Sequence, residues 1–129
     1  MSVGMLAFFG VVAFLVVMFV MQARIHRKAA ALVGTVPGPL PPPFDTVVQG
    51  DTLLWFHSPT CGPCRAMHAD VKALEQEGRL HIVDVSQNLP IARAFSVMAT
   101  PTTVRVRDGR IIAVHAGVLR RAALETLGT

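Results

Sequence analysis

The chain of 129 residues is poor in the groups that usually announce a function: it has no tyrosine, one tryptophan and two cysteines. Eight acidic residues stand against twelve Lys and Arg, a formal net charge of +4. That charge is unevenly placed. Arg24, Arg27 and Lys28 follow directly on an apolar run, and from Ala29 onward nine basic residues face eight acidic ones. Beyond the run the only aromatics are Phe44, Trp55, Phe56 and Phe95. A nucleic-acid surface needs a basic face with stacking rings among the cations, so this composition argues against one. Two cysteines are too few for a four-thiolate structural zinc site, and a disulfide between positions three apart closes too small a loop to stabilise much.

Charge is missing altogether from VGMLAFFGVVAFLVVMFVM, the 19 residues from Val3 to Met21. A helix needs about 20 such residues to cross the hydrocarbon core of a bilayer. A cleaved signal peptide fits less well, although Ala29-Ala30-Ala31 offers a small-residue site. No side-chain charge precedes the run, and the run exceeds the roughly 7–15 residues of a signal-peptide core. Residues 1–31 therefore read as a transmembrane anchor followed by a basic juxtamembrane segment attracted to anionic headgroups.

Residues 34–44, GTVPGPLPPPF, hold five of the nine prolines and two of the ten glycines. Residues 32–43 read as a proline-rich linker, and polyproline geometry, at about 3.1 Å per residue, makes Pro37–Pro43 a spacer of roughly 20 Å. The remaining residues, 44–129, are enough for one domain. Thr52–His57 is an apolar run with strand character, ending at Ser58-Pro59. Met67, Val71 and Leu74 then recur at helical spacing, and Gly78 supplies a stop. Leu80–Val85 reads as a second strand and Leu89–Val97 as a short helix with Pro90 in its first turn. Strands Thr103–Arg107 and Arg110–His115 flank Asp108-Gly109, a strong hairpin signal. A helix over Val118–Leu127, with Leu119, Ala123 and Leu127 along one side, closes the chain. The order is βαβ followed by αββα.

The only cysteines, Cys61 and Cys64, sit in CGPC at the start of the first helix after a strand, and Thr100-Pro101-Thr102 precedes the hairpin. Strand, CGPC, helix, then Thr-Pro-Thr and a DG hairpin in this order resemble the thioredoxin fold over residues 52–129. The run LLWFHSPTCGPCRAM is similar to that of membrane-tethered bacterial thioredoxin-like proteins that act in the maturation of other proteins. The usual first strand of that fold is truncated here, with Phe44–Gln49 as a candidate remnant.

The chemistry suits the motif. A thiolate, not a thiol, attacks a disulfide, and the unpaired N–H groups at a helix start favour the thiolate of Cys61. Cys64 lies one turn deeper, placed to resolve a mixed disulfide. Gly62 is read as relieving crowding in the turn and Pro63 as fixing φ at a helix start. The resemblance implies Cys61 as the attacking thiol, Cys64 as the resolving one, Pro101 as a cis-proline facing them, and the Thr100 backbone as the pairing edge for an extended substrate. It implies no organic cofactor beyond the Cys61–Cys64 pair. Implied partners are protein substrates with disulfides or cysteine pairs, an upstream thiol electron donor, and the bilayer through residues 3–21.

Two departures from the family stand out. Trp55 occupies the position, six residues before the first cysteine, where reductive thioredoxins carry a buried acid, which leaves His57 and Asp84 as candidate proton-transfer groups. Thr60 replaces the tryptophan that usually precedes the first cysteine. A competing reading takes Cys61, Cys64 and His68, with His57 and Met67 nearby, as a soft-metal set of a copper- or zinc-binding assembly factor. On sidedness, the three cations after the span favour a cytoplasmic head, whereas the resemblance implies a head outside the cytoplasm, in the periplasm of an inner-membrane protein.

Overall fold

Nineteen uncharged residues leave a helix as the only conformation that satisfies every backbone polar group without water, and α1 forms over Val3–Ala31. The computed structural model describes residues 2–35 and 37–129, so Val36 of the expected linker lies outside the described residues. Val3–Lys28 is long and apolar enough to cross a membrane, and none of its most apolar stretch is buried against the rest of the chain.

After a four-residue helix α2 (Phe44–Val47), the elements are β1 (Asp51–His57), a 3₁₀ turn (Pro63–Met67) leading into α3 (His68–Gln76), β2 (Leu80–Asp84), α4 (Leu89–Ala94), β3 (Thr102–Arg107), β4 (Arg110–Ala116) and α5 (Arg121–Thr126). The sheet order is β2-β1-β3-β4. β1 runs parallel to β2 and antiparallel to β3, and β3 antiparallel to β4. Two positive-φ residues, Asp108 at 52° and Gly109 at 77°, make the tight turn between β3 and β4. Gly78, at φ 72°, ends α3. Its N–H donates to Glu75 O and that of Arg79 to Leu74 O, both at 2.9 Å, which satisfies the last helical carbonyls.

Because side chains alternate along a strand, β1 feeds two cores. Leu54 and Phe56 join Val104, Val106, Ile91 and Phe95 on one face of the sheet. Leu53 and Trp55 join Cys64, Met67, Val71, Leu74 and Leu124 on the other. Each such aliphatic or aromatic side chain contributes about 1.5–3 kcal/mol by leaving water. The second core carries the cysteines, so the packing that stabilises α3 also fixes the motif.

Four expectations change. Phe44–Val47 is helical and not a strand remnant, because Pro41, Pro42 and Pro43 deprive the segment of the N–H donors that a ladder needs. The proline-rich segment is no free spacer: Leu32, Leu40 and Phe44 pack on the first core, and Gly38 lies beside Ala94. α4 stops at Ala94, followed by Ser96 at φ 52°. α5 begins at Arg121 and buries Leu124, while Ala123 is exposed, because the chain stays extended through Arg120 and shifts the helical phase.

Candidate functional site

The site lies at one end of the sheet. β1 finishes at His57, and Ser58-Pro59-Thr60 turns the chain into the motif, with the Cys61 N–H donating to Ser58 O at 3.2 Å. Cys61 and Cys64 are joined by a disulfide with their Cα atoms 5.4 Å apart. Their environments differ: Cys61 is partly exposed, and Cys64 is 1% exposed within the second core. The Cys64 N–H donates to Cys61 Sγ at 3.2 Å. Such a donor supports negative charge on that sulfur once the pair is reduced.

Pro63 starts the 3₁₀ turn, where its missing N–H is not needed. Gly62 differs from expectation. It has ordinary helical angles, φ −62° and ψ −51°, and a Cβ added there would meet no heavy atom within 4 Å. Neither backbone nor space demands glycine; what Gly62 does is leave the face beside Cys61 uncovered.

At the same end, the Thr100–Pro101 peptide bond is cis. Pro101 is buried, and its carbonyl accepts the Gly117 N–H at 2.8 Å. The Thr102 hydroxyl donates to Ala99 O at 2.6 Å and pins the preceding loop. Thr100 is half-buried and shares a groove of about 260 Å³ with Ser58, Leu89 and Met98. The structure thus brings Thr100 and Pro101 to the end of the sheet that carries the cysteines.

Beneath the cysteines lies an aromatic stack. The Trp55 indole, 1% exposed, lies on the His57 imidazole with ring centres 4.8 Å apart and planes 9° from parallel. His68 stands edge-on to both, at 5.8 Å from Trp55 and 6.4 Å from His57. Desolvation lowers the His57 pKa; the Asp84 carboxylate opposes the shift, and His68 adds to it. Asp84 is engaged elsewhere: it accepts from the Ser86 N–H at 2.9 Å and the Ser86 hydroxyl at 2.6 Å. Those bonds, led by the hydroxyl, hold its carboxyl below the usual range. His57, favoured as the neutral base, is thus the better placed of the two candidate proton carriers.

The soft-metal set does not assemble. Among the described residues no three His, Cys, Asp or Glu side chains converge to hold an ion, and Met67 is fully buried in the core. Two polar atoms in the core escaped the sequence reading: Trp55 Nε1 and Thr103 Oγ1 are buried with no hydrogen-bond partner among the described residues. Their residues are Cα partners across β1 and β3 and share a face. Strand alternation puts Trp55 and Thr103 on the core side, but pairing them needs the register, which only the folded sheet supplies.

Comparison with known proteins agrees with this geometry. The Thioredoxin family model matches residues 42–127. The chain is 34% identical over 83 residues to thioredoxin from Bacillus subtilis, a match that covers 61% of this chain and 80% of that protein. It is 34% identical over 88 residues to thioredoxin from Haemophilus influenzae, covering 63% and 82%. Among solved structures, Fasciola hepatica thioredoxin superimposes with a TM-score of 0.56 at 29% identity, covering 64% of this chain and 85% of that one. Oxidised mitochondrial thioredoxin 3 from Saccharomyces cerevisiae gives 0.53 at 28% identity, covering 64% and 81%.

Proposed function

From the premise that this chain belongs to the thioredoxin family and is a thiol:disulfide oxidoreductase, we propose that it is anchored in the membrane by Val3–Met21 and reduces or isomerises disulfides in protein substrates through Cys61 and Cys64. The observation that carries the reading is the asymmetry of the pair. One sulfur is open to a partner and accepts an N–H bond, and the other is sealed in the core.

In the reducing direction the Cys61 thiolate attacks one sulfur of the substrate disulfide. A mixed disulfide forms, and the second substrate sulfur leaves as a thiolate that takes up a proton. Cys64, after giving up its proton, attacks Cys61 Sγ, and the Cys61–Cys64 disulfide forms as the first substrate sulfur departs. Two electrons pass from the protein dithiol to the substrate, and an upstream dithiol donor returns them. His57, neutral above its lowered pKa, is the residue assigned to accept the Cys64 proton. The Thr100 backbone beside Pro101 is assigned to align an extended substrate segment. The head is placed on the periplasmic side.

The test uses the full chain in detergent or nanodiscs with insulin and a dithiol donor. Wild type should accelerate insulin reduction well beyond the donor alone, and Cys61→Ser should abolish the acceleration. A wild type no faster than Cys61→Ser would refute the reading.

A further inference from the structure

The anchor helix does not end where its apolar run ends. α1 continues past Met21 to Ala31, and residues 34–35 join the free edge of β4: the Gly34 N–H donates to Ile111 O at 2.7 Å and the Ile111 N–H to Thr35 O at 2.9 Å. The Arg110 guanidinium adds a bond to Gly34 O at 3.3 Å. Further back along the helix, Ile25 and Leu32 line one small cavity with Val114 and Ala116. Ile25 to Gly34 spans about 14 Å of helix, and Ile111 to Ala116 about 17 Å of strand. The two segments therefore run side by side in opposite directions, and the end of β4 nearest the apolar run is Ala116.

That end carries the dithiol. Ala116 pairs with Thr102, and Thr102 with Phe56, one residue before the end of β1. Ile25 lies about 6 Å along the helix from Met21, the last residue of the apolar run. A groove of about 660 Å³ between α1 and the loop before Pro101 is lined by Met21, Arg24, Ile25, Arg27, Lys28 and Met98. Three large apolar side chains after Pro37 are notably exposed, Met98 at 61%, Leu89 at 50% and Val118 at 42%. All three are at this end: Leu89 and Met98 share the groove with Ser58 and Thr100, and Val118 follows Gly117, which is bonded to Pro101. Exposed apolar side chains gathered beside cations, at the height where an apolar span ends, suit the boundary between headgroups and acyl chains.

We propose that the docked anchor holds the dithiol end of the domain against the bilayer surface, with Met98 at headgroup depth beside Arg24, Arg27 and Lys28, and that the substrates are disulfides presented at that surface by membrane-embedded proteins. The proposal rests on the anchored oxidoreductase reading above. It makes the head a reader of membrane-proximal cysteines and not a domain on a long tether.

The test uses ¹⁵N-labelled full chain in phosphatidylcholine–phosphatidylglycerol nanodiscs carrying a gadolinium-chelate headgroup lipid, which thiols do not reduce. Amide signals of Thr60, Gly62, Met98 and Val118 should be attenuated at least threefold more than those of Gly78, Asp108 and Gly109 at the opposite end. Uniform attenuation, or attenuation strongest at Asp108–Gly109, would overturn the proposal while leaving the redox activity standing. In a second arm, doubly acylated peptides on vesicles present a disulfide either 4 or 20 residues from the lipid. The near disulfide should be reduced at least tenfold faster, and equal rates would overturn the substrate assignment. Failure of the chain to co-float with vesicles refutes the anchor itself, and failure on insulin refutes the oxidoreductase reading, so each loss has its own signature.

Discussion

The indole of Trp55 lies flat on the imidazole of His57, 4.8 Å away and 9° from parallel, directly under the cysteine motif. The contact replaces a buried charge with an aromatic surface, and the same burial keeps His57 neutral. An imidazole whose folded pKa lies below its unfolded value binds fewer protons in the fold than out of it. Stability is then at its plateau above the unfolded value of about 6.5 and falls as the pH drops from there toward the folded pKa. His57→Phe, which keeps the stack, should flatten this part of the profile. Thermal unfolding between pH 5 and 8 in both proteins would show it, and an unchanged slope in the variant would assign the effect to another group.

Trp55 should tolerate a smaller ring better than its burial suggests. Trp55→Ala removes the centre of the second core and should cost about 3–5 kcal/mol. Trp55→Phe should cost far less, because Nε1 has no partner to lose among the described residues. Denaturant titrations compare the two, and a Phe variant as unstable as the Ala variant would mean that the indole N–H is satisfied in solution.

Gly62→Ala should stabilise the fold by about 0.4–1 kcal/mol, since the helical angles suit alanine and the space is open. A fall in the unfolding midpoint would show a constraint at this turn that its geometry does not reveal.

In the reduced protein Cys61 should react with iodoacetamide much faster than Cys64, and at pH values well below the free-thiol pKa of about 8.5. Its sulfur is accessible and accepts the Cys64 N–H, whereas Cys64 is 1% exposed. Mass spectrometry of the singly labelled protein across a pH series reads both quantities, and equal labelling of the two thiols would contradict the assigned roles.

Replacing the resolving thiol should leave partners attached. Cys64→Ser in the full chain should accumulate adducts that dithiothreitol releases, while Cys61→Ser and the double variant should accumulate none. Non-reducing gels of membranes expressing each variant make the comparison, and adducts on Cys61→Ser alone would reverse the order of attack.

The sequence by itself determined the pieces whose signals are local. CGPC after an apolar strand, Asp108-Gly109 between two alternating strands, Gly78 after a helical repeat and an uncharged run of 19 residues each dictate a conformation through their own backbone or burial demands. The βαβ and αββα order was legible for that reason, and so were the two cysteines. Tertiary structure decided what depends on who meets whom. The helical phase of α5 follows from the extended stretch through Arg120, so Leu124 is buried and not Ala123. The proline-rich segment reads as a spacer until Leu40 and Phe44 find an apolar face to cover. The stack of Trp55 on His57 and the alignment of α1 with β4 arise from contacts between residues far apart in the chain. Neither periodicity nor propensity carries that information, because burial of an apolar surface needs a partner surface that only the completed sheet provides.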